Sequence, residues 1–78
     1  GSANPTSSTT ITIPSNPNWS SNQFVYSQGA QPETYYCEFL SGSLKGAYYT
    51  ITANGANTLT LDTDVDLGSI AAGTQVSI

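Results

Sequence analysis

Apolar and polar residues alternate along several short stretches of the chain, most clearly in its second half. Residues 47–53 and 58–62 both follow this pattern, with Asn54-Gly55 between them. Successive side chains of a β-strand point to opposite faces, so the pattern predicts two strands. Asn-Gly favours the turn of a hairpin, although the full connection through Asn57 is longer than two residues. We therefore expect a β-hairpin in this region.

The same alternation predicts four further strands, and residues 67–70 predict a short helical turn that closes one end of the fold. No longer segment has the 3.6-residue periodicity of an amphipathic helix, so we expect an all-β protein. About six short strands suit a small antiparallel barrel, SH3-like or a close relative, or a compact sandwich. The four further strands are expected at residues 9–13, 23–27, 34–40 and 74–78.

The start of the chain is poor in apolar side chains and predicts a flexible leader over residues 1–8. Gly1-Ser2 also fits the remnant of a cleaved tag. Residues 9–78 are then expected to form a single small β-domain. Strand alternation assigns Tyr36, Glu38, Leu40, Tyr48, Thr50 and Thr52 to the outside, and Tyr35, Cys37, Phe39, Tyr49, Ile51, Leu59, Leu61, Val76 and Ile78 to the inside.

Charge and composition narrow the classes of partner. The 78 residues carry a formal net charge of -4, with Lys45 as the single basic residue. Lys and Arg neutralise phosphates in nucleic-acid complexes and attract proteins to anionic membranes, so we expect neither partner. No apolar run approaches the roughly 20 residues that a membrane-spanning helix needs. Eleven Ser, eleven Thr and six Asn are typical of extracellular bacterial fibres and adhesins, which favours an extracellular or cell-surface location.

The sequence offers little for catalysis. A nucleophilic Ser, Thr or Cys needs a neighbouring base, and the chain has no His and one Lys. The alternation places Cys37, the single cysteine, in the core, where a thiol is inert. We therefore expect no enzymatic activity, no catalytic residue and no cofactor. A chain this small has a thin core, and association is the remaining means of supporting it.

Three carboxylates at alternating positions, Asp62, Asp64 and Asp66, resemble the opening of a calcium loop. The fuller pattern is absent, because Leu67 stands where such a loop needs Gly and Gly73 stands where it needs Glu. The simpler interpretation is the solvated side of a strand end. Weak cation binding by the three aspartates is the alternative, and we predict no dedicated metal site.

Trp19, Tyr36 and Tyr48 are the aromatic residues expected to lie at least partly outside. Their rings tolerate both water and burial, so they suit a protein interface as well as a platform for sugar rings. A third interpretation is purely structural, with Trp19 covering a barrel end and the tyrosines filling a sheet face. The sequence leaves all three open.

Four motifs follow one another in the second half of the chain. They are Tyr-Tyr-x-Glu at residues 35–38, Ser-Gly-x-x-x-Gly at 41–46, Thr-Leu-Thr-Leu at 58–61 and Ala-Ala-Gly at 71–73. Together they resemble the pattern of an uncharacterised family of secreted verrucomicrobial proteins. The Thr-Leu-Thr-Leu and Ala-Gly-Thr phrases are also similar to small β-barrels of phage tail and fibre proteins. The resemblance implies a secreted β-domain and assigns no catalytic residue.

The leading functional hypothesis is a non-enzymatic extracellular structural module, a subunit of a filament, fibre or surface layer. It would associate through sheet edges with copies of itself or with a neighbouring repeat, by strand complementation. The expected interface residues are Ile11, Ile13, Val76 and Ile78. The alternative is a carbohydrate-binding module that holds a glycan on Trp19, Tyr36 and Tyr48.

Overall fold

Six short strands, each antiparallel to its neighbours, close into a barrel in the computed structural model, which describes residues 1–26 and 33–78. This confirms the all-β class, and the architecture is the small antiparallel barrel rather than the sandwich. The strands are β1 (Ser2–Pro5), β2 (Thr10–Thr12), β3 (Tyr36–Phe39), β4 (Tyr48–Asn54), β5 (Thr58–Leu61) and β6 (Thr74–Ser77), and a 3₁₀ turn spans Leu67–Ser69.

The order of the strands around the barrel is β1, β2, β5, β4, β3 and β6, and β6 pairs again with β1. The strands β3, β4 and β5 form two successive hairpins, and β1 and β2 form a third. The circle is completed by three pairings between distant parts of the sequence, β2 with β5, β1 with β6 and β3 with β6. A register shift between Ile51 and Ala53 marks a bulge in β4. None of the six described strands has an unpaired edge.

The core consists of the inward side chains of the strands, together with Leu67 and Ile70 from the 3₁₀ turn. Asp66 caps this turn, because its carboxylate accepts the Gly68 N–H at 2.9 Å. The turn covers one end of the core as expected, and the Leu67 N–H donates to the Ser8 carbonyl oxygen at 2.9 Å. The buried apolar residues are Ala3, Ile11, Ile13, Cys37, Phe39, Ile51, Leu59, Leu61, Leu67, Ile70 and Val76.

The prediction of a flexible leader over residues 1–8 was wrong, because part of it is strand β1. This strand lies between β2 and β6, with Asn4 opposite Thr12 and Ser2 opposite Gln75. Its only buried side chain is the methyl group of Ala3. Backbone hydrogen bonds on both sides hold it in place, and such bonds leave no apolar alternation in the sequence.

The strand predicted at residues 23–27 is not formed over residues 23–26, and Ser27 lies outside the described residues. The chain turns here instead: the Gln23 N–H donates to Ser20 and the Val25 N–H to Asn22, both at 3.2 Å to carbonyl oxygens. The Phe24 N–H donates to the Asn54 side chain at 3.0 Å. These bonds satisfy the donors that a sheet partner would otherwise take.

The predicted faces of the strands are confirmed with one exception. Tyr36, Glu38, Leu40 and Tyr48 are exposed, and Tyr35 and Tyr49 are half-buried against the core. Ile78 was expected inside, but it follows the last residue of β6 and is 44% exposed. In residues 1–26 and 33–78, no helix has the length and apolar character to cross a membrane.

Candidate functional site

A shallow groove lies on the outer face of three adjacent strands, β6, β3 and β4. Glu38, in the middle strand, stands opposite Tyr48 on one side and opposite Ser77 on the other. All three side chains are exposed, because they occupy the outward positions of their strands. The barrel therefore presents a carboxylate between an aromatic ring and a hydroxyl group.

Two tyrosine rings form one wall of the groove. The ring centroids of Tyr36 and Tyr48 are 5.7 Å apart, and the ring planes meet at 85°. Such an edge-to-face pair is a favourable arrangement of aromatic rings. Tyr36 is nevertheless 48% exposed and Tyr48 is 65% exposed, so both rings keep surface available to a ligand.

The groove has a volume of about 500 Å³, within the range of pockets that hold small ligands. Its walls combine aromatic carbon with a few polar groups, which is the usual chemistry of such pockets. Across the described residues, no hydrogen bond or ion pair engages the Glu38 carboxylate or the hydroxyl groups of Tyr36 and Tyr48. The residues that line it are Thr34, Tyr35, Tyr36, Glu38, Tyr48, Ser77 and Ile78.

Trp19 does not line this groove. It is half-buried and packs edge-to-face on Phe24, with ring centroids 5.0 Å apart, and Phe24 in turn packs on Tyr35 at 5.6 Å. The Trp19 N–H of the backbone donates to the Ala56 carbonyl oxygen at 2.9 Å. Of the three aromatic residues predicted as contacts, the structure brings Tyr36 and Tyr48 together. Trp19 lies in a second aromatic cluster, which reaches the groove only through Tyr35.

The four residues expected at an interface lie in two different environments. Ile11, Ile13 and Val76 are buried in the core of their own barrel, so they are not an exposed association surface in this state. The physical reason is that their side chains face the inside of the closed barrel and pack in its core. Ile78 is exposed and belongs to the groove.

The aspartates at positions 62, 64 and 66 are all exposed. Asp66 caps the 3₁₀ turn through its side chain, and its carbonyl oxygen accepts the Ser69 hydroxyl at 2.8 Å. Within the described part of the chain, no three His, Cys, Asp or Glu side chains are grouped closely enough to hold a metal ion. Asp66 is therefore accounted for by local structure.

Cys37 is fully buried in β3 on the inner face of the barrel. Burial raises the pKa of its thiol to about 11, because the thiolate would lose its hydration inside the core. A thiol with this pKa is almost entirely protonated at neutral pH, and the thiolate is the reactive form. The geometry thus places Cys37 among the packing residues.

The sequence pattern does not predict the groove, although it contains one signal for it. Tyr36, Glu38 and Tyr48 were each assigned to the outside, and the hairpin of β3 and β4 brings Glu38 opposite Tyr48. The contribution of Ser77 requires the pairing of β3 with β6. That pairing joins distant parts of the chain, so no local sequence pattern predicts it.

Comparison of the chain with protein-family models, with curated proteins and with solved structures found no match. The resemblance to secreted verrucomicrobial proteins and to phage fibre barrels stays a prediction.

Proposed function

We propose that this protein is a non-enzymatic extracellular structural module, a subunit of a filament, fibre or surface layer, that associates by exchanging strand β1 between copies. The observation that carries the proposal is the position of β1. It is a short polar strand that lies between β2 and β6, the two strands that contain or border the expected interface residues. Release of β1 would open both sheet edges at once.

Several features make β1 the strand that is released most easily. Ala3 is its only buried side chain, and burying one methyl group stabilises a fold by only about 1 kcal/mol. Pro5 has no N–H to donate to a neighbouring strand, and proline within sheets is typical of edge strands. Only two paired positions join β1 to each neighbour. Its contribution to the barrel is therefore mainly backbone hydrogen bonding.

The gap that β1 would leave between β2 and β6 suits a strand of the same sequence. The carbonyl oxygen of Ala3 and the side-chain oxygen of Asn4 both accept the Gly73 N–H, at 2.9 and 3.0 Å. Gln75 donates its side-chain N–H to the Ser2 hydroxyl at 2.9 Å. A second copy supplies identical groups, so exchange replaces each bond by an equivalent one, as in domain swapping.

The hinge for this exchange is the tight connection between β1 and β2. The N–H groups of Thr6 and Ser7 both donate to the Thr10 carbonyl oxygen at 3.1 Å. Opening this turn extends residues 6–9 and carries β1 away from its own barrel.

The non-enzymatic and extracellular parts of the proposal are supported by chemistry and composition. The chain has no His, and its single thiol, Cys37, is buried with a raised pKa. Solubility depends on neutral hydroxyl and amide groups, because charged residues make up 8% of the sequence. This composition suits a protein that packs against copies of itself without strong electrostatic repulsion.

A pair of engineered cysteines tests the exchange. Ser2 and Gln75 stand opposite each other, where Cα atoms of antiparallel strands lie about 4.5–5.5 Å apart and a disulfide fits. In Ser2→Cys/Gln75→Cys, oxidation of concentrated protein should give covalent oligomers on a non-reducing gel if β1 is exchanged. Oxidation of an unexchanged barrel gives only covalent monomers.

The matched control joins two strands that do not exchange. The Thr10 and Thr60 hydroxyl groups are 3.2 Å apart across β2 and β5, so Thr10→Cys/Thr60→Cys should give monomers at every concentration. Buried Cys37 is present in both variants and should not react. Monomers alone from the Ser2/Gln75 pair, taken from material that sedimentation velocity shows to be associated, would contradict strand exchange. A protein that is monomeric throughout would contradict assembly itself.

A further inference from the structure

The groove beside Glu38 lies across β6, β3 and β4, and strand exchange makes no use of its aromatic wall. We propose that this groove is a binding site for a neutral saccharide, held between the rings of Tyr36 and Tyr48 and the Glu38 carboxylate. The site does not depend on the exchange of β1.

The aromatic wall suits the apolar face of a sugar ring. Tyrosine combines a flat apolar ring with a hydroxyl that remains hydrogen-bonded to water or ligand. Tyr48 is 65% exposed even though its ring contacts Tyr36 at 5.7 Å. The Tyr48 ring is therefore packed against Tyr36 on one side, and the rest of its surface is open to a ligand.

The polar groups of the groove suit the hydroxyl groups of a sugar. A carboxylate accepts charge-assisted hydrogen bonds, which are roughly twice as strong as neutral ones. Glu38 stands directly between Tyr48 and Ser77 in the strand register. Thr34 and Ser77 add hydroxyl groups that both donate and accept. This set of groups binds a polyhydroxylated ring at its face and at its edge.

Charge argues against the other occupants. An acidic saccharide would meet Glu38 on a chain whose net charge is -4. A second copy that placed its own groove against this one would bring two Glu38 carboxylates together, and Lys45 is the only basic side chain of the sequence. The groove volume of about 500 Å³ is also in the range of pockets that hold small ligands. A neutral sugar avoids both costs.

Titration calorimetry with three neutral probes, cellohexaose, mannohexaose and chitohexaose, tests the proposal on the intact chain. At least one probe should bind, and Tyr48→Ala should lower its affinity by about tenfold or more. Tyr48→Phe keeps the ring and should stay within about threefold of the original affinity. Glu38→Gln should weaken binding about fivefold, because the hydrogen bond loses its charge.

Tyr26→Ala is the matched control, since Tyr26 is 55% exposed and does not line the groove. It should leave the affinity unchanged, and circular dichroism of each variant checks that the barrel is intact. Absence of binding to all three probes at millimolar concentration would overturn the proposal. Binding that survives Tyr48→Ala, or that falls equally in Tyr26→Ala, would overturn it as well. Cross-linking tests strand exchange and calorimetry tests saccharide binding, so either proposal can be contradicted without affecting the other.

Discussion

Asn22 and Asn54 hydrogen-bond to each other twice across 32 residues of sequence. The Asn22 N–H donates to the Asn54 carbonyl oxygen at 2.8 Å, and the Asn54 N–H donates to the Asn22 side-chain oxygen at 3.0 Å. Asn54 is buried, and its own side chain bonds to Ser20, Phe24 and Gly55. One residue at the end of β4 thus anchors the loop that carries the half-buried Trp19.

Asn54→Ala should therefore destabilise the protein and loosen this loop. The substitution removes three side-chain hydrogen bonds, each with a net contribution near 1 kcal/mol, so the free energy of unfolding should fall by about 2–3 kcal/mol. Urea denaturation measures this change, and Trp19 fluorescence should shift to longer wavelength as the ring gains water. Asn57→Ala, which removes one exposed bond to Asn16, should cost less than about 1 kcal/mol. Equal effects of the two substitutions would contradict the anchoring role of Asn54.

The raised pKa of Cys37 predicts a loss of stability in alkaline solution. The folded thiol has a pKa of about 11 against an ordinary value of 9.0, so the thiol of the unfolded chain loses its proton first as pH rises. The protonated thiol therefore stabilises the folded state fully below pH 9, and this stabilisation is lost as pH rises towards 11. The free energy of unfolding should fall by about 2–3 kcal/mol at the upper end of this range. Urea denaturation at a series of alkaline pH values measures the slope.

Cys37→Ala supplies the control for that slope. The variant lacks the thiol, so its stability should fall less steeply between pH 9 and 11 than that of the original chain, although other groups titrate in both. A thiol reagent should also modify Cys37 much more slowly than a free cysteine at neutral pH. Identical pH slopes for the two proteins would show that Cys37 is not responsible.

Gly73 should tolerate Asn better than Ala. Its φ of 84° lies in the left-handed region, which Asn adopts more readily than other side chains. A Cβ at this position meets no atom within 4 Å, so the cost of substitution is backbone strain alone. Gly73→Ala should lower the free energy of unfolding by about 1–2 kcal/mol and Gly73→Asn by about half of that. Thermal denaturation compares them, and equal losses would argue against backbone strain as the cause.

Hydrogen exchange should show β1 as the least protected strand. The strand buries only Ala3, whereas β4 and β5 lie inside a hairpin with buried Ile51, Leu59 and Leu61. Local opening needs less free energy where few apolar contacts are lost. Amides of β1 should exchange about tenfold or more faster than those of β4. Oxidised Ser2→Cys/Gln75→Cys monomer should slow β1 selectively; uniform protection across the six strands would contradict an easily released β1.

The sequence predicted the part of the barrel that is built from local pairings. Strands β3, β4 and β5 follow one another as hairpins, and each has apolar residues at alternate positions that are buried as expected. Leu67 and Ile70 are apolar residues in a polar segment, and this contrast predicts that they cover one end of the core. Local alternation is sufficient wherever each strand contributes its own side chains to the core.

The rest of the barrel depends on contacts that alternation does not encode. β1 is held mainly by backbone hydrogen bonds, so its sequence has the polar character of a flexible leader. The turn at residues 23–26 is held by Asn54, whose sequence context predicts only a hairpin turn. The groove joins the local hairpin of β3 and β4 to β6, which is far from both in sequence. Strand alternation predicts that its tyrosines are exposed, but only the order of the strands around the barrel shows that Ser77 lies beside Glu38.

The first and last parts of the sequence meet in this barrel. The Gly1 nitrogen donates to the Val76 carbonyl oxygen at 2.8 Å, next to the pairing of Ser2 with Gln75. A short linker from Ile78 to Gly1 would therefore leave the strands in place, and a new opening in the exposed loop at residues 41–46 would give a circularly permuted chain with the same barrel. In that chain β1 is tethered at both ends, so circular permutation should prevent the strand exchange that we propose.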